Sequence, residues 1–146
     1  MEQLTYATLY TGSDAKTHFK DDAMPWHPVA SSAPEPPHVT PLQDATKIGF
    51  LRSPVGRQTD WHPAPRKQFV MVLTGILEVE AGDGEKRKFT PGSVLLVTDV
   101  DGMGHRTQGV GEQEVFLVWV PIQTASKSSL PQCGNKLTVF PHFISS

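Results

Sequence analysis

The residues of this chain with the most chemical promise are Asp60, His62, Gln68 and His105. The first three fall within the stretch DWHPAPRKQFVMVLTG, residues 60 to 75, just ahead of an apolar run, and His105 follows the turn sequence DGMG. Of the six histidines, only His62 and His105 stand beside strand-like segments of the body; His18, His27, His38 and His142 fall in the leading arm or the tail. Asp60 and His62 are two residues apart, so on an extended segment their side chains leave the same face. Gln68 opens the following run and shares a face with Val70 and Val72. Imidazole and carboxylate suit a borderline divalent ion such as Fe, Mn, Ni, Cu or Zn, whereas a neutral amide oxygen binds weakly. The same imidazoles and Asp60 also suit proton transfer, as acid and base. The ordinary reading is a hydrogen-bonded strand-entry histidine, a turn-flanking histidine and a satisfied rim amide.

Flanking groups extend this set. Arg66, Lys67 and Arg106 are candidates to orient a carboxylate, phenolate or enolate by charge-assisted bonds, against the commoner reading of solvated rim charges. Trp61 and Phe69 leave the opposite face from His62 and Gln68 and read as packing, and Trp119, inside VFLVWV, reads as core. Pro63 and Pro65 stiffen the link between the candidate ligands.

For these residues to meet, short strands must converge. From Ile48 onward, β-branched and aromatic runs alternate with Gly, Pro and Asp, predicting strands near 48–53, 67–73, 76–81, 86–89, 94–98, 105–109 and 114–121, with a last one near 136–140. Asp83-Gly84 supplies the positive dihedral angles of a tight hairpin. Leu77 and Val79 alternate with Glu78 and Glu80, so that strand has one wet face. FVMVL and VFLVWV are apolar on both faces and must be covered twice, which points to a closed or sandwiched all-β barrel and to a homodimer. Residues 1–47 carry little periodicity, and six of the 17 positions from Pro25 to Pro41 are proline; they read as an arm, either a partly ordered leader or an extended segment anchored by Trp26, Val29, Val39 and Leu42. Residues 122–146 read as a tail.

The 146 residues make one domain with one site. A net charge of −2, with 13 basic and 15 acidic residues interspersed, offers no footprint for nucleic acid or an anionic membrane, so a small molecule is the expected partner. The single cysteine, Cys133, excludes an internal disulfide framework and a thiolate metal cage. No apolar run is long enough to cross a bilayer, and nothing near Met1 reads as a secretion signal, so a cytoplasmic protein is expected.

Residues 48 to 121 resemble a cupin, a small double-stranded β-helix or jelly-roll barrel. The first cupin motif reads Gly, five residues, His-x-His, three or four residues, Glu, six residues, Gly; the second reads Gly, five residues, Pro-x-Gly, two residues, His. Gly75 stands at the closing Gly of the first, which puts Gln68 at the Glu position, His62 at the second His with one extra residue in PAPRK, and Asp60 at the first His. TPGSVLLV matches the start of the second motif through Gly92, and His105 matches its His after a longer spacer. The chain departs from the pattern at Asp60, at Gln68 and in both spacers. The resemblance implies a divalent metal at the barrel mouth held by His62 and His105 with Gln68 and Asp60, and Lewis-acid or dioxygen chemistry on a small organic molecule: oxygenase, isomerase or lyase. Two alternatives stand beside it, a metal-free cyclase or epimerase using His and Asp, and a non-catalytic ligand-binding barrel. Fold does not choose among them.

Overall fold

The computed structural model describes residues 2–123. The predicted strand near 136–140, Cys133 and His142 lie outside these. Among the described residues there are eleven strands and no helix: β1 (Gln3–Thr11), β2 (Thr17–Pro25), β3 (His27–Pro28), β4 (His38–Val39), β5 (Gly49–Ser53), β6 (Gln68–Thr74), β7 (Ile76–Glu80), β8 (Lys86–Phe89), β9 (Val94–Val97), β10 (Arg106–Val110) and β11 (Val115–Pro121). Each strand expected between 48 and 121 is present, within a residue or two at its ends.

Six strands form one sheet in the order β2-β1-β9-β6-β11-β5, and three form a second, β10-β7-β8. The period-two alternation of side chains places Val70 and Val72 of β6, Leu95 and Val97 of β9, and Val115 and Leu117 of β11 on the inner face of the large sheet. Leu77 and Val79 of β7 face them from the small sheet, while Glu78 and Glu80 stay half-exposed. These residues form one buried cluster. The β7–β8 turn closes through Ala81 N–H to Glu85 O at 2.9 Å, and of the Asp83-Gly84 pair only Gly84 takes a positive φ, of 97°.

The first 25 residues differ from the arm expected of them. β1 and β2 pair over nine positions, Gln3↔Pro25 to Thr11↔Thr17, and β1 joins β9 in parallel, Ala7↔Leu95 to Leu9↔Val97. Leu9 is completely buried, and Phe19 packs against Phe89 of β8 with ring centroids 6.2 Å apart. The alternation is muted because the buried face of β1 and β2 is filled in part by Ala7 and Thr17, and the opposite face of β1 by Tyr6, Thr8 and Tyr10, whose β preference is strong but whose hydropathy is weak. From Trp26 to Lys47 the chain enters no long strand: it bends over residues 32–35 and folds back on itself through the two-residue β3–β4 pairing and the bond from Val29 N–H to Pro37 O at 2.8 Å. Of its proposed anchors Trp26 is half-buried, but Val29 and Val39 are exposed and Leu42 is 90% exposed, because the prolines and polar residues around them leave no sheet for them to pack on.

Candidate active site

Between the two sheets lies a cavity of about 660 Å³, within the usual size of small-molecule sites. Its apolar wall comes from the inward rows of β6, β7, β9 and β11, with Trp119 of β11 among them. Its polar wall is built by two neighbouring extended segments. Residues 56–62, which enter no regular strand, run antiparallel beside β10 and its approach: Thr59 N–H donates to Thr107 O at 2.9 Å, Gln58 bridges Gln108, and His62 bridges His105. The side chains of Arg57, Thr59 and His62 from one segment, and of Thr107 and His105 from the other, line the cavity.

The two histidines are therefore cross-strand partners. His62 N–H donates to His105 O and His105 N–H to His62 O, both at 2.9 Å, and the ring centroids are 4.7 Å apart. Gly104 makes this approach possible. Its φ is +81°, and a Cβ there would fall 1.9 Å from His62 O, so only glycine fits.

Each ring is fixed through one nitrogen. His62 Nδ1 lies 2.8 Å from the backbone carbonyl of Asp60, and His105 Nδ1 lies 2.5 Å from Oδ2 of Asp99. Both partners only accept, so in a neutral imidazole each Nδ1 carries the proton and each Nε2 keeps a lone pair. Asp99 is completely buried, and its backbone carbonyl accepts from Ala64 N–H at 2.9 Å, which holds it against the segment after His62. Its Oδ1 has no partner among the described residues, and neither has Oε1 of Gln68, which is 4% exposed on the cavity wall.

The expected site residues thus divide. His62, Gln68 and His105 line one cavity. Asp60 does not: its side chain is exposed, because the chain bends at Trp61 and turns the Asp60 carbonyl, instead of its carboxylate, toward the His62 ring. Arg106 leaves β10 on the face opposite His105; its Nε donates to Glu80 Oε1 at 2.7 Å, and its guanidinium lies 4.9 Å from the Trp61 ring centroid. Arg66 is exposed and off the cavity wall. Three contributors went unread in the sequence: Asp99, Arg57 and Thr59. Asp99 sits six residues before His105 in TDVDGMGH, where its acidic turn reads as solvated, and the Pro54 to Gly56 turn hides the strand-like character of residues 57–62.

A resident divalent ion is poorly served by these groups. Two neutral imidazoles and one amide supply no anionic donor, and no group of three His, Cys, Asp or Glu side chains suited to a metal occurs among the described residues.

No family model matches the chain, and no curated protein matches it. Solved structures do. A cupin domain from Bordetella pertussis Tohama I is 24% identical, with a TM-score of 0.43, and the match covers 53% of this chain and 80% of that one. The cupin domain of Schizosaccharomyces pombe Cnp3 is 12% identical, with a TM-score of 0.45, covering 85% of this chain and 86% of that one. Likenesses of this degree say nothing about the chemistry of this cavity.

Proposed function

We propose that this cupin-like barrel is a metal-free acid–base enzyme acting on a small organic molecule held in its cavity. The observation that carries this reading is the pair His62 and His105, each with Nδ1 committed to an acceptor and Nε2 left for the cavity. Positioned imidazoles of this kind contribute about 10²- to 10⁴-fold as general acids and bases. One Nε2 takes a proton from a carbon next to a carbonyl, the C–H electron pair moves into the carbonyl to give an enolate, and the second ring, in its protonated form, returns a proton elsewhere on the same frame. Gln68 offers an amide to hold the enolate oxygen. The net change is an isomerisation or cyclisation that needs no oxidant.

The test is incubation of a panel of small ketones and keto acids in D₂O, with loss of the α-proton followed by NMR for wild type, His62→Gln and His105→Gln. The expected result is exchange with at least one member of the panel, reduced by about 10²-fold or more in each variant. Saturable binding without exchange, with the variants altering affinity alone, makes the barrel a binder. A stoichiometric metal in protein purified without added metal, lost in the His62→Gln variant, returns the site to metal chemistry.

A further inference from the structure

We infer that the cavity takes an elongated amphipathic anion, a carboxylate carried on an apolar body, with the carboxylate at Arg57 and its far polar end at the two histidines. The second half of this assignment rests on the acid–base reading above; the first half does not.

Charge comes first. Arg52, Arg57, His62 and His105 line the cavity, and no Asp or Glu lines it. Arg52 is within 3.5 Å of Glu114, but Arg57 has no carboxylate within 4.0 Å among the described residues. A guanidinium with no carboxylate partner among the described residues, at the edge of a cavity that no described Asp or Glu lines, favours an anion, and its planar fork fits a carboxylate with two parallel bonds. Arg57 is exposed while His105 is 7% exposed, so the stripe runs from an open end to a closed one. A carboxylate at the open end keeps part of its hydration, which avoids the cost of burying a charge.

Length comes next. Arg57 lies opposite Gly109, with Gly109 N–H donating to Arg57 O at 3.3 Å, and His62 lies opposite His105. Gly109 is four residues beyond His105, which at the rise of a β-strand is about 13 Å. Between the two ends the wall offers Thr59 and Thr107, whose hydroxyl oxygens are 3.4 Å apart, on one side, and Val70, Leu77, Val97 and Leu117 on the other. A compact dianion would leave that apolar wall uncovered, and a plain hydrocarbon would leave Arg57 unused.

Three probes of one length separate these cases: 10-hydroxydecanoate, 1,10-decanediol and decanoate, with binding read by calorimetry and from the change in tryptophan fluorescence, to which Trp119 on the cavity wall contributes alongside Trp26 and Trp61. The expected result is that 10-hydroxydecanoate binds at least tenfold more tightly than the diol, that Arg57→Gln removes most of this difference while leaving the diol unchanged, and that Arg57→Lys keeps part of it. Equal affinity for acid and diol in wild type, or an Arg57→Gln variant that still prefers the acid, overturns the assignment. So does failure of all three probes to bind. Loss of the hydroxyl in decanoate, or His62→Gln, should weaken binding only modestly. If Arg57 discriminates as stated while α-proton exchange never occurs, the anion site stands and the acid–base reading fails; exchange on neutral ketones with no effect of Arg57→Gln is the reverse.

Discussion

Replacing Asp99 tests whether a buried carboxylate sets the working face of His105. In Asp99→Ala the Nδ1–H of a ring that is 7% exposed loses its acceptor, and an unsatisfied buried donor costs about 1–3 kcal/mol. Deleting Asp99 also removes Oδ1, which is buried without a partner, so the low half of that range is expected. For a chain of this size it corresponds to a fall in Tm of about 2–8 °C. Asp99→Asn keeps the shape but exchanges a charge-assisted bond for a neutral one, a loss of about 1 kcal/mol, partly offset because an amide is easier to bury than a carboxylate. Stability therefore hardly separates Asn from wild type; the tautomer does. In wild type, long-range ¹⁵N–¹H NMR should find His105 protonated at Nδ1. In Asp99→Ala the ring is released, and Nε2–H becomes the main form. Under the acid–base reading, α-proton exchange in Asp99→Asn falls about 10²- to 10⁴-fold with binding retained. If wild-type His105 carries its proton on Nε2, or if Asp99→Ala moves neither the tautomer nor Tm, Asp99 does not position the ring.

Two other perturbations probe the scaffold. Gly104→Ala places a Cβ against the His62 carbonyl at positive φ, and should cost about 3 kcal/mol in urea unfolding and separate the histidine resonances from their wild-type positions; Gly84→Ala, also at positive φ but with nothing within 4 Å, should cost only about 1–2 kcal/mol. His18, at the start of β2, lies between two carboxylates, with Nε2 at 2.9 Å from Asp14 and Nδ1 at 3.0 Å from Asp83, and the Asp14 bond above all raises its pKa from the usual 6.5. A raised folded-state value means the contribution is fully present below about pH 6.5 and disappears as pH climbs through the folded-state value. The same bond lowers the Asp14 pKa from 3.8, so its share is present above that pH and is lost as pH falls through the folded-state value. The Tm deficit of His18→Gln should accordingly be larger at about pH 5.5 than at about pH 8.5; a deficit that grows with pH contradicts the clamp.

The strands from Gly49 to Pro121 were legible because β6 and β11 are short continuous apolar runs, because Leu77 and Val79 of β7 alternate with Glu78 and Glu80, and because Gly and Asp punctuate the turns. His62 and His105 were legible as a pair only through the cupin resemblance, since nothing local joins residues 43 positions apart. Asp60 was misplaced by applying the two-residue rule across a bend, which regular strand geometry does not survive. Asp99 was invisible for a different reason. A buried carboxylate is recognised by its partner, and that partner is set by the path of the loop instead of by hydropathy. Arg57 was passed over because the segment holding it contains Pro54 and Gly56, yet hydrogen bonds to β10 straighten it into a strand-like wall.

The N-terminal hairpin joins these observations. The loop that delivers His105 contains Gly102 and Gly104, both at positive φ, and such a loop has little stiffness of its own. Its rigidity comes from outside. The Thr17 hydroxyl, fully buried, donates to Gly104 O at 2.7 Å and accepts from Gly82 N–H, tying β2 to both the loop and the β7–β8 turn. The Thr11 hydroxyl donates to Asp101 O at 3.2 Å, and Gly102 approaches the Ala15 carbonyl so closely that a Cβ would sit 2.9 Å away. Gly104 cannot shift without disturbing the His62–His105 bridge, and so residues 11 to 17 set the position of a ring they never touch. The barrel that begins at Ile48 in the sequence is thus incomplete as a site: a strand pair that hydropathy barely marks is what holds the second histidine in place.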